Sequence, residues 1–163
     1  MEYTVYQSQY AAALDMLREV VRLCPPEMWD DPASKNRFWR VAYHVVFYTH
    51  LYLHPQFEDF VAWPKHRAEA EALGMIQWPA PHPAPDMPPY TPEEVLEFAD
   101  FCQEQAIHFL PKLDFDGPSG FHWWAFGKRE LQIYNLRHLQ QHIGELAERL
   151  GDQGVEVPWY GAR

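Results

Sequence analysis

The sequence is poor in cysteine and in basic residues, and no long apolar run crosses it uninterrupted. Only Cys24 and Cys102 occur, with no CxxC spacing. Each falls in an apolar helical pattern, the ordinary place for a buried free thiol, so a disulfide framework or thiolate cluster is not expected. Thirteen bases face 23 acids, a formal charge of −10. That balance repels phosphate backbones, and no local basic patch offsets it, so nucleic-acid binding is not expected. The same acidity favours solubility. Charges or prolines break every apolar stretch before it reaches the length of a membrane span. Residues 1–5 have neither the basic start nor the apolar segment of a signal peptide. The expectation is a cytoplasmic protein with no membrane partner. Internal repeats and strand pairs joined by turn chemistry are also missing.

What is present is apolar material with a helical period. Hydrophobic residues make up 47% of the 163 positions and aromatics 16%, too much for a disordered chain and enough for one domain, residues 1–163, with its own core. Tyr6, Tyr10, Ala13, Leu14, Leu17, Val20, Val21 and Cys24 recur three and four apart, which predicts a first helix over about 3–24, stopped by Pro25 and Pro26. After a linker containing Pro32, a second helix is expected over about 34–53, with Ser34 as N-cap and Val41, His44, Val45, Tyr48, Leu51 and Tyr52 as its inward stripe. Residues 54–90 hold eight prolines and should be extended and irregular around residues 79–85, with a short helix near 66–73 closed by Gly74. Thr91-Pro92-Glu93-Glu94 is a helix start: N-cap threonine, proline at the first position, glutamate closing a capping box. The third helix then runs to about Leu110. A glycine- and aromatic-rich loop follows, and the fourth helix covers about 128–150, with Leu136, Leu139, Ile143, Leu146 and Leu150 on one stripe.

The fold class is therefore all-α, a four-helix bundle. Connection lengths set its expected course. A short first link makes the first two helices antiparallel neighbours. The proline-rich link of about 37 residues between the second and third helices is long enough to be a crossover. It returns the chain so that the third helix lies parallel to the second, giving an up-down-down-up arrangement.

The chemistry centres on histidine. His138 and His142 are four apart in the fourth helix, on one face and close enough to share an ion. Imidazole is a common ligand for divalent transition metals. Among the nine histidines, His66 and His82 lie in the crossover, where exposure is the default. His50 and His54 fall on the far side of the second helix from its apolar stripe. His108 lies near a helix end and His122 in the aromatic loop. Only His44 is mid-helix and inward. It sits about ten residues into its helix, and His138 and His142 about ten and fourteen into theirs. At ~1.5 Å per residue all three reach the same height. The reading that competes with a metal site is hydrogen-bonded core histidine.

The stretch Ser119-Gly-Phe-His-Trp-Trp-Ala-Phe126, followed by Tyr134-Asn-Leu-Arg-His-Leu-Gln-Gln-His-Ile-Gly-Glu145, resembles the DinB-like superfamily of metal-binding four-helix bundles. Val41-Ala-Tyr-His-Val-Val46 resembles its second-helix motif more loosely. The resemblance implies an up-down-down-up bundle, a divalent metal held by His44, His138 and His142, and a homodimer. Two positions depart from the pattern: Gln141 and Glu145 stand where many members have histidine and glutamine. Gln141 is not at a ligand position. Glu145 shares the ligand face, where it orients a ligand, accepts a proton or faces the rim.

Three neutral imidazoles leave an ion its full charge and an open coordination position, the arrangement of catalytic rather than structural zinc. Nitrogen ligands select the metal weakly, and zinc or nickel is expected. Tyr48 and Tyr134, one turn from His44 and His138, either donate to a bound ligand or are aromatic core residues. The aromatic loop and the crossover form either a lid or a dimer surface. The expected function is a metal-dependent enzyme acting on a small molecule, either a thiol transferase using a low-molecular-weight thiol or a hydrolase. The alternative is a metal-stabilised ligand-binding or sensing module without turnover. Bis-histidine haem ligation is not expected, because His138 and His142 share one helix and cannot flank a porphyrin.

Overall fold

The apolar spacing of Tyr10, Leu14, Leu17 and Val21 folds as expected into α1 (Tyr3–Leu23), where all four side chains are buried. The computed structural model describes residues 3–163; residues 1 and 2, part of the stretch read for a signal peptide, lie outside the described residues. Pro26 opens a single helical turn, α2 (Pro26–Trp29), rather than continuing a plain linker. Its proline sits where a missing N–H costs nothing. Trp29 anchors the turn by donating its indole N–H to the Tyr90 carbonyl at 2.8 Å.

The second long helix, α3 (Phe38–Leu53), begins four residues later than expected, and Ser34 does not cap it. The Asp31 carboxylate accepts from the Ala33 N–H at 2.9 Å and from the Ser34 hydroxyl at 3.1 Å. That local turn competes with a helix start for the same groups.

The crossover has more structure than its prolines predict, though not the expected helix near 66–73. The Arg67 N–H donates to the Tyr90 hydroxyl at 2.8 Å, and Glu69 takes a left-handed φ of 66°, so the segment forms turns. A two-stranded antiparallel ladder, β1 (Met75–Ile76) and β2 (His82–Pro83), follows. Gly74, at φ 79°, turns the chain into it, and its carbonyl accepts from Ala84 at 2.7 Å. Helix α4 (Pro92–Phe109) starts on the predicted capping box, with both Thr91–Glu94 bonds made. Helix α5 (Lys128–Gly151) completes the chain's long elements.

The structure is predominantly helical, hence all-α, with the small ladder as its only sheet among the described residues. Each of α1 and α3 packs chiefly against α4 and α5. Tyr10 meets Gln132, and Met16 meets Gln140, so α1 and α5 advance together. Along α3 and α5 the pairs run in opposite senses: Tyr52 with Gln132, Thr49 with Asn135, His44 with His138. Gln7 with Ile107 and Arg18 with Asp100 make α1 and α4 opposed. Tyr43 with Phe98 and His54 with Phe109 make α3 and α4 run alike. The first two long helices are thus not the side-by-side neighbours expected; α4 and α5 separate them. Fourteen residues of link, including the α2 turn, are enough to cross that distance.

The core gathers Leu14, Leu17, Trp39, Val45, Phe98, Leu139 and Ile143, all fully buried. Each such side chain contributes about 1.5–3 kcal/mol relative to exposure. Helix α3 is its centre. Every residue of α3 is buried except His44 and Tyr48, which are partly open. Among the described residues no helix is long and apolar enough to cross a membrane.

Candidate metal centre

Because α3 and α5 pack with opposed directions, His44 meets the one-turn pair His138 and His142 at mid-height. One ligand atom from each of the three lies within 4.8 Å of the others. The Nε2 atoms of His44 and His138 are 3.2 Å apart. Nitrogen ligands about 2.0–2.1 Å from a tetrahedral zinc are separated by roughly 3.3 Å, so this spacing fits one shared ion.

Hydrogen bonds outside the cluster fix which nitrogens point in. His44 Nδ1 lies 2.6 Å from the Glu71 carbonyl, which can only accept, so His44 carries its proton on Nδ1 and presents a lone pair at Nε2. His142 Nδ1 lies 3.0 Å from Glu145 Oε2, which leaves its Nε2 available in the same way. Glu145 is held in turn by Arg149 through its other oxygen. Of the three roles open to Glu145 in the sequence, orienting a ligand is the one this geometry supplies. Such outer partners commonly set imidazole orientation in metal sites. His138 lacks one: its Nδ1 is buried with no hydrogen-bond partner.

Burial lowers the His44 imidazole to about 3 and the His138 imidazole to about 4, with neighbouring imidazoles adding to the effect. Both are neutral near pH 7, the form that ligates. The Tyr48 ring lies 4.8 Å from His44, and Tyr134 stacks parallel to His138 at 6.0 Å. Burial raises Tyr48 to about 12 and raises Tyr134 as well, so both keep their phenolic protons.

A cleft of about 400 Å³ opens beside His44 and Tyr48, its other wall formed by crossover residues 69–78. A larger hollow, about 520 Å³ between α1, α5 and the C-terminal tail, lies away from the three histidines. The partly open sides of His44 and Tyr48 therefore face a space that a small molecule can enter. Burial raises the Glu71 carboxyl on the cleft wall.

Several expectations need correction. His50 and His54 are not on an outer face: both are buried, packed among Phe60, Phe98, Phe101 and Phe109. His66 is half-buried, stacked on Phe47 at 5.1 Å with Nδ1 2.8 Å from the Tyr43 hydroxyl. The aromatic loop packs on Tyr52 and Tyr134 through Phe121 and Trp124, and Tyr134 in turn stacks on His138. Cys24 is only half-buried, while Cys102 is buried; both are free thiols. Glu71, which orients His44 through its backbone, was not anticipated, since any residue type could supply that carbonyl. The chemistry must be read from these residues alone, for no family model, no curated protein and no solved structure matches the chain.

Proposed function

We propose that the chain is a DinB-like, metal-dependent enzyme in which His44, His138 and His142 hold one divalent transition ion, zinc or nickel. Its reaction is transfer of a small-molecule thiol to an electrophile, or hydrolysis of a small molecule. The observation that carries this reading is the convergence of three imidazoles, two with Nε2 lone pairs turned inward by outer hydrogen bonds, beside an accessible cleft. The four long helices are read as an up-down-down-up bundle, supported by the pairwise directions of their contacts. A cytoplasmic homodimer belongs to the same reading.

Each residue has a defined task. The Glu71 carbonyl and the Glu145 carboxylate hold the His44 and His142 rings against rotation. A divalent ion bound by such a set supplies a Lewis acid that makes a thiol or water nucleophilic near neutral pH. Tyr48, protonated and on the cleft wall, is a hydrogen-bond donor for the reacting group. Residues 69–78 exclude water from one side.

A second reading, a metal-stabilised binding or sensing module without turnover, is favoured by Glu145: both its oxygens are engaged, so it offers no free base. Metal content and thiol consumption, compared between the wild type and His138→Ala, test the proposal. One equivalent of metal in the wild type, lost in the variant along with thiol consumption or ester hydrolysis, is the expected result. Unchanged metal content in His138→Ala overturns the ligand assignment. Full metal with no turnover of any thiol, electrophile or ester selects the binding module.

A further inference from the structure

The cleft at His44 has a one-sided chemistry. Its titratable lining consists of His44, Tyr48, Glu69 and Glu71, and among the described residues neither lysine nor arginine lines it. The remaining wall is largely apolar, with Leu73, Met75, Ile76 and Trp78. Met75 and Trp78 expose 55% and 82% of their surface, so a substantial apolar area stands uncovered at the mouth. Isolated exposed side chains need no explanation, but these two border a cleft that already holds acceptors.

One of the two acidic groups, Glu71, has a carboxylate oxygen that no internal hydrogen bond engages. Glu71 Oε2 is buried and accepts no hydrogen bond, and the His66 ring is 3.9 Å from it, too far for one. A buried carboxylate oxygen without a hydrogen bond is a costly arrangement that a donating, positively charged guest relieves. Glu69 accepts from His82 Nε2 at 3.0 Å, which holds its side chain against β2 at the same wall. Glu71 also links this wall to the histidines, because its own carbonyl orients His44.

We infer that the cleft binds a small organic cation, a protonated amine bearing an apolar or aromatic group. Its ammonium lies at Glu69 and Glu71, its apolar part under Met75 and Trp78, and its reactive end toward Tyr48 and His44. The inference rests on the metal-enzyme reading for the role of that reactive end, and it narrows the substrate: carboxylate-rich thiols are disfavoured, amine-bearing substrates favoured. The net charge of −10 assists capture of a cation over long range.

The test is calorimetric titration of zinc-loaded full-length protein with phenethylamine and, separately, with phenylacetate, which has the same ring and the opposite charge. Phenethylamine is expected to bind more tightly by about tenfold or more, since like charges placed together are strongly disfavoured. In the double variant Glu69→Gln, Glu71→Gln that preference should fall by about tenfold while zinc content is unchanged, because the Glu71 carbonyl remains. Equal or tighter binding of phenylacetate, no binding of the amine, or a double variant with the wild-type preference overturns the inference. Zinc uptake is measured in the same samples. Amine selectivity without zinc binding sinks the metal reading and leaves the cation cleft standing; zinc binding without selectivity does the reverse.

Discussion

Replacing Lys128 by methionine tests how the aromatic loop is held to the helices. Lys128 is the first residue of α5 and only 3% exposed. Its ammonium donates to the carbonyls of His54 at 3.2 Å and Pro55 at 2.6 Å, and to that of Ser119. Three donors meet three acceptors, which tie the end of α3 to the loop before α5. Methionine keeps the hydrocarbon stem and removes all three. Charged hydrogen bonds contribute about 1.5–3 kcal/mol each, but burying an ammonium itself costs several kcal/mol. With the carbonyls partly reached by water in the variant, the net loss is about 2–4 kcal/mol. For a chain of this size that lowers Tm by about 5–15 °C. Urea unfolding followed by circular dichroism measures it. The pH dependence gives a second check. Burial lowers the Lys128 amine from 10.5 to about 8. Between those values the unfolded chain binds more protons than the folded one, so wild-type stability rises with pH across that window. Lys128→Met lacks this contribution, and its deficit should widen above pH 8. A variant as stable as the wild type, with a parallel pH profile, refutes the assigned role.

Two further outcomes are expected. Glu145→Ala frees the His142 ring and should weaken zinc affinity by about 10–100-fold with helicity intact, read by competition with a chelator; unchanged affinity would remove Glu145 from the site. His50 has both ring nitrogens buried without partners, and burial pushes it down to about 3. An unfolded histidine protonates near its ordinary 6.5, so stability is lost as pH falls from there toward 3. In metal-free protein, His50→Leu should be neutral or stabilising at pH 7 and should flatten this acid loss, seen as a smaller drop in urea midpoint between pH 7 and pH 5. An unchanged drop would place the acid sensitivity elsewhere.

How much of this could be read from the sequence differs by element. The third helix start was fully legible, because Thr91, Pro92 and Glu94 act on groups within one turn. The pair His138 and His142 was legible for the same reason. His44 does meet His138 and His142 at the expected height, but the face argument that set its rivals aside fails here. Helix α3 is covered on nearly every side, so its apolar stripe does not separate inside from outside. His50 and His54 are consequently core residues, and His44 and Tyr48 are the open positions. The crossover was the least legible part. Its turns depend on the Tyr90 hydroxyl, fixed by the distant core, and proline-rich sequence carries no period from which such a tie can be read.

The covering of α3 has a consequence for how such a protein can vary. His44 stands on a helix whose other positions, Tyr48 apart, are all packed, so substitution around it disturbs the core. The facing wall, residues 69–78, belongs to a surface segment whose contact with His44 is a main-chain carbonyl and therefore indifferent to side-chain identity. The three histidines and the wall that faces them thus reside in separately mutable stretches of chain. A library confined to Glu69, Leu73, Met75, Ile76, Gln77 and Trp78 can reshape the cleft without altering the three histidines.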